Sequence, residues 1–101
     1  MLALSDKELS LVRAILRAHL APDTLVSVFG SRATAKAKPW SDLDLVIEAP
    51  EPLPLSLLAA LAEAFSESDL PWKVDLVDWQ TVDCKFAEGI AQSLVPLPLM
   101  D

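Results

Sequence analysis

Two aspartates near the middle of the chain, Asp42 and Asp44, have the spacing of a pair that binds a metal ion. They alternate with apolar residues at positions 43, 45 and 47, which is the pattern of a half-buried strand. In a strand, both carboxylates project from the same face, with their Cβ atoms roughly 7 Å apart. Mg²⁺ prefers carboxylate oxygens and is usually completed by water and substrate phosphates. The pair therefore predicts an open metal platform.

A third carboxylate, Asp75, lies inside the apolar run 74–77. A charge in such a run needs a specific role, because burying an unpaired charge is costly. If the two strands are neighbours in one sheet, we expect Asp75 to converge with Asp42 and Asp44. The nearby Asp78 is interpreted as the turn residue that ends the strand.

Gly30 and Ser31 directly follow the first predicted strand and supply groups suited to an anion. Glycine lets a phosphate approach the main chain, and the serine hydroxyl and the following N–H groups can donate hydrogen bonds to it. Three of the eight basic residues fall in the same short loop: Arg32, Lys36 and Lys38. A positive loop opposite metal-binding carboxylates is what a nucleoside triphosphate requires.

The elements that must position these residues follow from apolar periodicity and turn residues. Ser5 and Glu8 have the spacing of a capping box at the start of the first helix. The predicted order is helix 6–20, strand 24–29, a loop or short helix within 31–39, strand 41–47, a helix from 57 that ends near 66–69, strand 72–77 and a last helix from Thr81 to Pro96. This order, α-β-(α)-β-α-β-α, predicts an α/β (α+β) fold in which helices pack on one small mixed sheet.

The composition is that of a small, folded, acidic protein. The chain has 101 residues, of which 52% are hydrophobic, and 8 basic against 15 acidic side chains give a net charge of −7. We expect one domain over 1–101, and we exclude intrinsic disorder. The acidic balance argues against binding to nucleic acid. One cysteine, Cys84, excludes an internal disulfide, and with a single histidine it cannot form a structural zinc site. With no signal peptide or membrane span recognised, we expect a cytoplasmic protein.

Together these motifs resemble the minimal nucleotidyltransferases of the DNA polymerase β superfamily. The segments that carry the resemblance lie within about 25–78 and are Phe29-Gly30-Ser31-Arg32-Ala33, Ser41-Asp42-Leu43-Asp44-Leu45-Val46-Ile47 and Val74-Asp75-Leu76-Val77. Thr34 and Ala35 stand where members of that superfamily commonly have an arginine and a glycine. The resemblance implies the nucleotidyltransferase fold over most of the chain.

The resemblance also implies a role for each candidate residue. ATP or another nucleoside triphosphate would be bound by the loop, through Gly30, Ser31, Arg32 and Lys38. Two Mg²⁺ ions would be bound by the catalytic carboxylates Asp42, Asp44 and Asp75. Within this set, Asp75 would complete the site of the catalytic ion and orient the attacking hydroxyl.

Small stand-alone proteins of this kind are typically antitoxins, each paired with a helical HEPN-domain toxin that some of them inactivate by transferring AMP to a tyrosine. The resemblance therefore implies a metal-dependent enzyme that modifies a hydroxyl of a HEPN-type partner. A second interpretation stays open, in which the chain is an inactive binding module that neutralises its partner by masking it. The hydrophobic content also predicts that a partner or a second copy covers part of the surface.

Overall fold

The described part of the chain, residues 4–34, 36–38 and 40–99 of the computed structural model, folds into three helices and four strands. The elements are α1 Asp6–His19, β1 Leu25–Phe29, β2 Leu43–Glu48, α2 Leu55–Ser66, β3 Val74–Asp78, α3 Cys84–Ala91 and β4 Val95–Pro96. The α+β fold with a small mixed sheet is therefore confirmed. Within these residues, no helix has the length and apolar composition needed to cross a membrane.

The four strands form one sheet in the order β3-β2-β1-β4. Strand β1 is antiparallel to both β2 and β4, whereas β2 and β3 are parallel. A parallel pair needs a crossover connection, and α2 supplies it. The register places Asp44 of β2 between Phe29 of β1 and Asp75 of β3. Residues far apart in sequence thus meet in one row across the sheet.

The core lies between one face of the sheet and helices α1 and α2. Because successive strand residues point to opposite faces, the apolar positions of β1 and β2 line this face together. The buried cluster comprises Val12, Leu16, Leu20, Val26, Val28, Leu43, Leu45, Ile47, Leu61, Phe65, Trp72 and Leu97. The intervening residues, Asp44 among them, point to the second face. There, the ring of Phe86 from α3 meets Phe29 edge-on, with centroids 5.7 Å apart.

Helix α1 begins at the capping box that its sequence predicts. The N–H of Glu8 donates to Ser5 Oγ at 3.1 Å, and the N–H of Ser5 donates to Glu8 Oε1 at 2.9 Å. These two bonds satisfy N–H groups that have no partner inside a helix at its start. The beginning of the helix is therefore set by local chemistry.

The last helix differs from its prediction at both ends. Its N-terminal cap is Asp83, not Thr81, and Thr81 instead donates to the carbonyl of Asp78. Leu94 lies beyond the helix, because Val95 and Pro96 pair with β1 as the unpredicted strand β4. Pairing with a strand that lies some 70 positions earlier is a long-range interaction that helical periodicity cannot reveal.

The loop between β1 and β2 contains turns in its described residues and no helix. The carbonyl of Gly30 accepts from the N–H of Ala33 at 3.1 Å, and the carbonyl of Ser31 accepts from the N–H of Lys36 at 3.1 Å. These bonds close turns over different numbers of residues, so they do not propagate as a regular helix. Ala35 and Pro39 of this loop lie outside the described residues.

Candidate active site

Two of the three predicted carboxylates meet on the second face of the sheet. Asp44 and Asp75 are partners in the parallel pairing of β2 and β3, so their side chains project from the same face of the sheet. Asp42 is exposed just before β2, and its charge acts on Asp44. The structure therefore forms a concentrated patch of negative charge around Asp44.

The electrostatics of this patch show most clearly at Asp44. Burial raises the pKa of its carboxyl above the ordinary value of 3.8. The negative charges of Asp75 and Asp42 raise this pKa further, as does the hydrogen bond to Asp75. A cation bound here would relieve the repulsion among the carboxylates and would favour the ionised form of Asp44.

The carboxylates fit a metal site that is open rather than enclosed. Among the residues that the structure describes, no three His, Cys, Asp or Glu side chains lie close enough together to hold a metal ion. Asp44 and Asp75 are partners across β2 and β3, while Asp42 precedes the strand pairing, is exposed and acts on Asp44 through its charge. The carboxylates of Asp44 and Asp75, with that of Asp42 nearby, match a site in which Mg²⁺ takes its other ligands from water and phosphates.

The Gly30 position lies directly against this carboxylate pair. Its φ of 75° is in the left-handed region, which favours glycine over every residue with a Cβ. A Cβ built there would overlap Oδ2 of Asp44 and lie 3.4 Å from its Cγ. Glycine is therefore required twice, by the backbone conformation and by the approach of Asp44.

The turn that follows Gly30 presents backbone N–H groups as the first turn of a helix does. The carbonyls of Gly30 and Ser31 accept hydrogen bonds from residues further along the chain. In such an arrangement, the N–H groups at the beginning of the turn are directed outward, where they can donate to an anion. Because Gly30 touches Asp44, an anion at this turn would lie beside the carboxylate pair.

The side chain of Arg32 is buried and is engaged within the chain. It is only 5% exposed, and its guanidinium donates to the carbonyl of Ser41 from Nε at 3.0 Å and from Nη2 at 2.8 Å. Its Cζ atom lies 4.4 Å from the centre of the Trp72 ring. Trp72 was not among the predicted site residues, and no spacing signal could have revealed its contact with Arg32 across 40 positions.

The lysines of the loop are exposed, in contrast to Arg32. Lys36 and Lys38 both reach solvent, and Lys38 Nζ lies 5.6 Å from the centre of the Trp40 ring. Trp40 is 72% exposed, so its ring does not pack in the core of this chain. Among the described residues of this loop, the exposed positive charges are thus those of Lys36 and Lys38.

Asp78 has a structural role, and the interpretation of this residue as a turn residue is confirmed. Its carboxylate is buried and accepts from the N–H of Leu53 at 2.8 Å and from the N–H of Gln80 at 2.9 Å. The second bond closes the turn after β3, and the first ties that turn to the segment before α2. Asp75 remains half-exposed, with Lys73 Nζ at 3.9 Å.

Comparison with known proteins shows the family to which the chain belongs. The family model described as the nucleotidyltransferase domain matches residues 9–97. A protein of Haemophilus influenzae, named probable protein adenylyltransferase MntA, is 50% identical over 94 residues, which cover 93% of this chain and 82% of that protein.

Solved structures share the fold. A toxin–antitoxin structure with AMP-PNP superimposes with a TM-score of 0.75 at 24% identity, covering 88% of this chain and 71% of that one. A complex of a tri-AMPylated Shewanella oneidensis HEPN toxin with its MNT antitoxin gives a TM-score of 0.65 at 22% identity, with the same coverage. At these identities the likeness establishes the fold.

Proposed function

Since this chain belongs to the family of the nucleotidyltransferase domain, we propose that it transfers AMP from ATP to a hydroxyl group of a partner protein. The observation that carries the proposal is the contact of Gly30 with Asp44, which in turn pairs with Asp75. This contact places a turn suited to phosphates against carboxylates suited to Mg²⁺. Neither feature alone would specify a nucleotide.

The proposed reaction assigns separate tasks to the residues of the site. The turn at Gly30 and Ser31 binds the phosphates, while Asp42, Asp44 and Asp75 offer oxygens to Mg²⁺. Bound Mg²⁺ supplies neutralisation of the phosphates and a lower pKa for the acceptor hydroxyl. The acceptor hydroxyl loses its proton to water, and its oxygen forms a bond to the α-phosphorus as the bond to the leaving pyrophosphate breaks. Because Asp75 is half-exposed, an acceptor can approach its carboxylate.

We propose that the acceptor belongs to a HEPN-type toxin and that this chain is its antitoxin. Support comes from the 50% identical relative, whose name is that of a protein adenylyltransferase, and from the toxin–antitoxin complexes that share the fold. The chain contains no tyrosine, so a tyrosine acceptor must come from another protein. Modification of the partner would then neutralise it.

The test measures transfer of label from ATP to a HEPN-domain protein, taken from the gene next to that of this chain where one is present. With α-labelled ATP and Mg²⁺, we expect the parent protein to label the partner, whereas γ-labelled ATP leaves no label. The variant Asp75→Asn should retain ATP binding within about tenfold and lose transfer by orders of magnitude. Asp69→Asn, which neutralises an exposed aspartate in the turn after α2, is the matched control and should transfer as the parent does.

The competing hypothesis of a masking module makes the opposite prediction. If Asp75→Asn protects cells from the partner as well as the parent does, and the parent transfers no label from any nucleotide, then the proposed transfer is wrong. The chain would in that case neutralise its partner by contact alone.

A further inference from the structure

We propose that Arg32 is a positioning residue, which holds the loop between β1 and β2 against the start of β3 through Trp72 and does not bind the phosphates itself. This inference rests on the proposed nucleotidyl transfer, because it concerns the residues that hold the loop of that same site in place. It differs from the phosphate contact that the motif alone suggests for this arginine.

The geometry of the guanidinium supports this role, in which Arg32 and Trp72 together form a clamp on the loop. Its edge donates two hydrogen bonds to the carbonyl of Ser41 and one, at 3.4 Å, to the carbonyl of Lys38, while its face lies over Trp72. Arg32 and Trp72 are only 5% and 8% exposed. Only a planar cation with several donors can use its edge and its face together, so lysine cannot replace it.

The clamp joins the three segments that carry the site. Arg32 follows the turn of Gly30 and Ser31 directly, and Ser41 stands immediately before Asp42. Trp72 is followed by Lys73, whose carbonyl accepts from the N–H of Leu43 at 2.9 Å at the start of the β2–β3 pairing. One buried side chain thus connects the phosphate turn, the chain leading into β2 and the chain leading into β3.

A phosphate contact would conflict with these bonds. To reach a ligand, the guanidinium would have to leave the Trp72 ring and the part-buried Ser41 carbonyl, and both contacts would be lost. The exposed amines of Lys36 and Lys38 are available to phosphates without any such loss. The charge that meets the ligand and the charge that orders the loop are therefore carried by different residues.

The first part of the test uses hydrogen exchange of the full chain without nucleotide or partner, so that it does not depend on the proposed reaction. In Arg32→Ala and Trp72→Leu, we expect the amides of 31–41 to exchange at least about tenfold faster, while those at the centre of β2 keep their protection. Arg32→Lys should behave like Arg32→Ala, because the ammonium group of lysine is not planar and lacks the row of donors of a guanidinium. Arg17→Ala, which removes an exposed arginine of α1, is the matched control and should change nothing.

The second part measures transfer as a function of ATP concentration. A loosened loop should raise KM for ATP by about tenfold or more, while kcat is largely recovered at saturation because bound nucleotide orders the loop again. Simple loss of folded protein would lower kcat alone. The double variant Arg32→Ala/Trp72→Leu should be no worse than either single variant, since both remove the same clamp.

One pattern would overturn the inference: Arg32→Ala weakens ATP binding while exchange of the loop stays as in the parent and Trp72→Leu binds ATP normally. Should a variant melt below the temperature of measurement, Arg32→Lys and Trp72→Phe take its place, and Trp72→Phe should keep part of the protection. A parent that transfers nothing would refute the proposed function. The exchange data would still decide whether the clamp exists.

Discussion

Replacement of Gly30 by alanine tests the contact between the phosphate turn and the carboxylates. The φ of Gly30 is 75°, and a Cβ added there would overlap Oδ2 of Asp44. The variant should therefore show two effects, one on stability and one on function, that can be measured separately. It should lose stability through its backbone, and it should lose function through displacement of Asp44.

The size of each effect follows from the geometry. A residue with a Cβ in the left-handed region costs about 1–2 kcal/mol. Forcing the Asp44 side chain away from its position costs about 0.5–1.5 kcal/mol more if it leaves its rotamer. A total of about 1.5–3.5 kcal/mol corresponds to a fall in Tm of roughly 6–28 °C for a domain of this size. A displacement of Asp44 by about 1 Å would lower transfer about a hundredfold.

A double-mutant cycle with Asp44→Ala isolates the clash. Removing the carboxylate frees the space for the new Cβ, so Gly30→Ala should cost only about 1–2 kcal/mol in that background. Gly89→Ala is the matched control, because a Cβ at Gly89 meets nothing within 4 Å and alanine should stabilise α3 by about 0.5–1 kcal/mol. Thermal and urea unfolding measure all of these changes. Equal destabilisation by Gly30→Ala in both backgrounds would refute the contact.

Three further predictions concern other parts of the molecule. Because the pKa of Asp44 is raised above 3.8, the folded state keeps this proton where the unfolded chain has released it, and metal-free stability should fall as the pH rises through that interval. Asp44→Asn should flatten this part of the pH profile, and an unchanged profile in melts from pH 4 to about 8 would contradict the assignment. Asp78→Ala leaves two N–H groups without their acceptor and should lower the free energy of unfolding by about 2–3 kcal/mol, whereas ATP binding by the folded fraction persists, in contrast to Asp44→Ala. Ser5→Ala removes the capping box of α1 and should cost about 1 kcal/mol in urea unfolding, with ATP binding unchanged.

Some features of the fold could be predicted because their causes are local. The bonds between Ser5 and Glu8 that start α1 arise within one turn of the chain. A serine followed three residues later by a glutamate predicts them. The alternation around Asp44 likewise follows from the two-residue period of a strand. The role of Asp78 as the end of β3 was readable from its type and place.

Other features were decided by distant segments, and one prediction, the length of the last helix, failed for this reason. The last helix stops at Ala91 because Val95 and Pro96 pair with β1, which no helical stripe reveals. The loop after Gly30 forms turns and no helix in its described residues, and Arg32 is drawn to the carbonyls of Lys38 and Ser41. Asp42 stays exposed because the pairing of β2 with β3 begins one residue later, at Leu43.

By itself, the sequence determined that this chain has a glycine–serine turn, two aspartates on one strand face and a third aspartate in a later strand, since each is a matter of residue type and short spacing. Only the tertiary structure decided that Asp44 pairs with Asp75, that Gly30 touches Asp44 and that Arg32 stacks on Trp72. The physical reason is register. A shift by two residues keeps every apolar side chain on its face, so the pattern of the strands allows several pairings. Packing of the whole chain selects one of them.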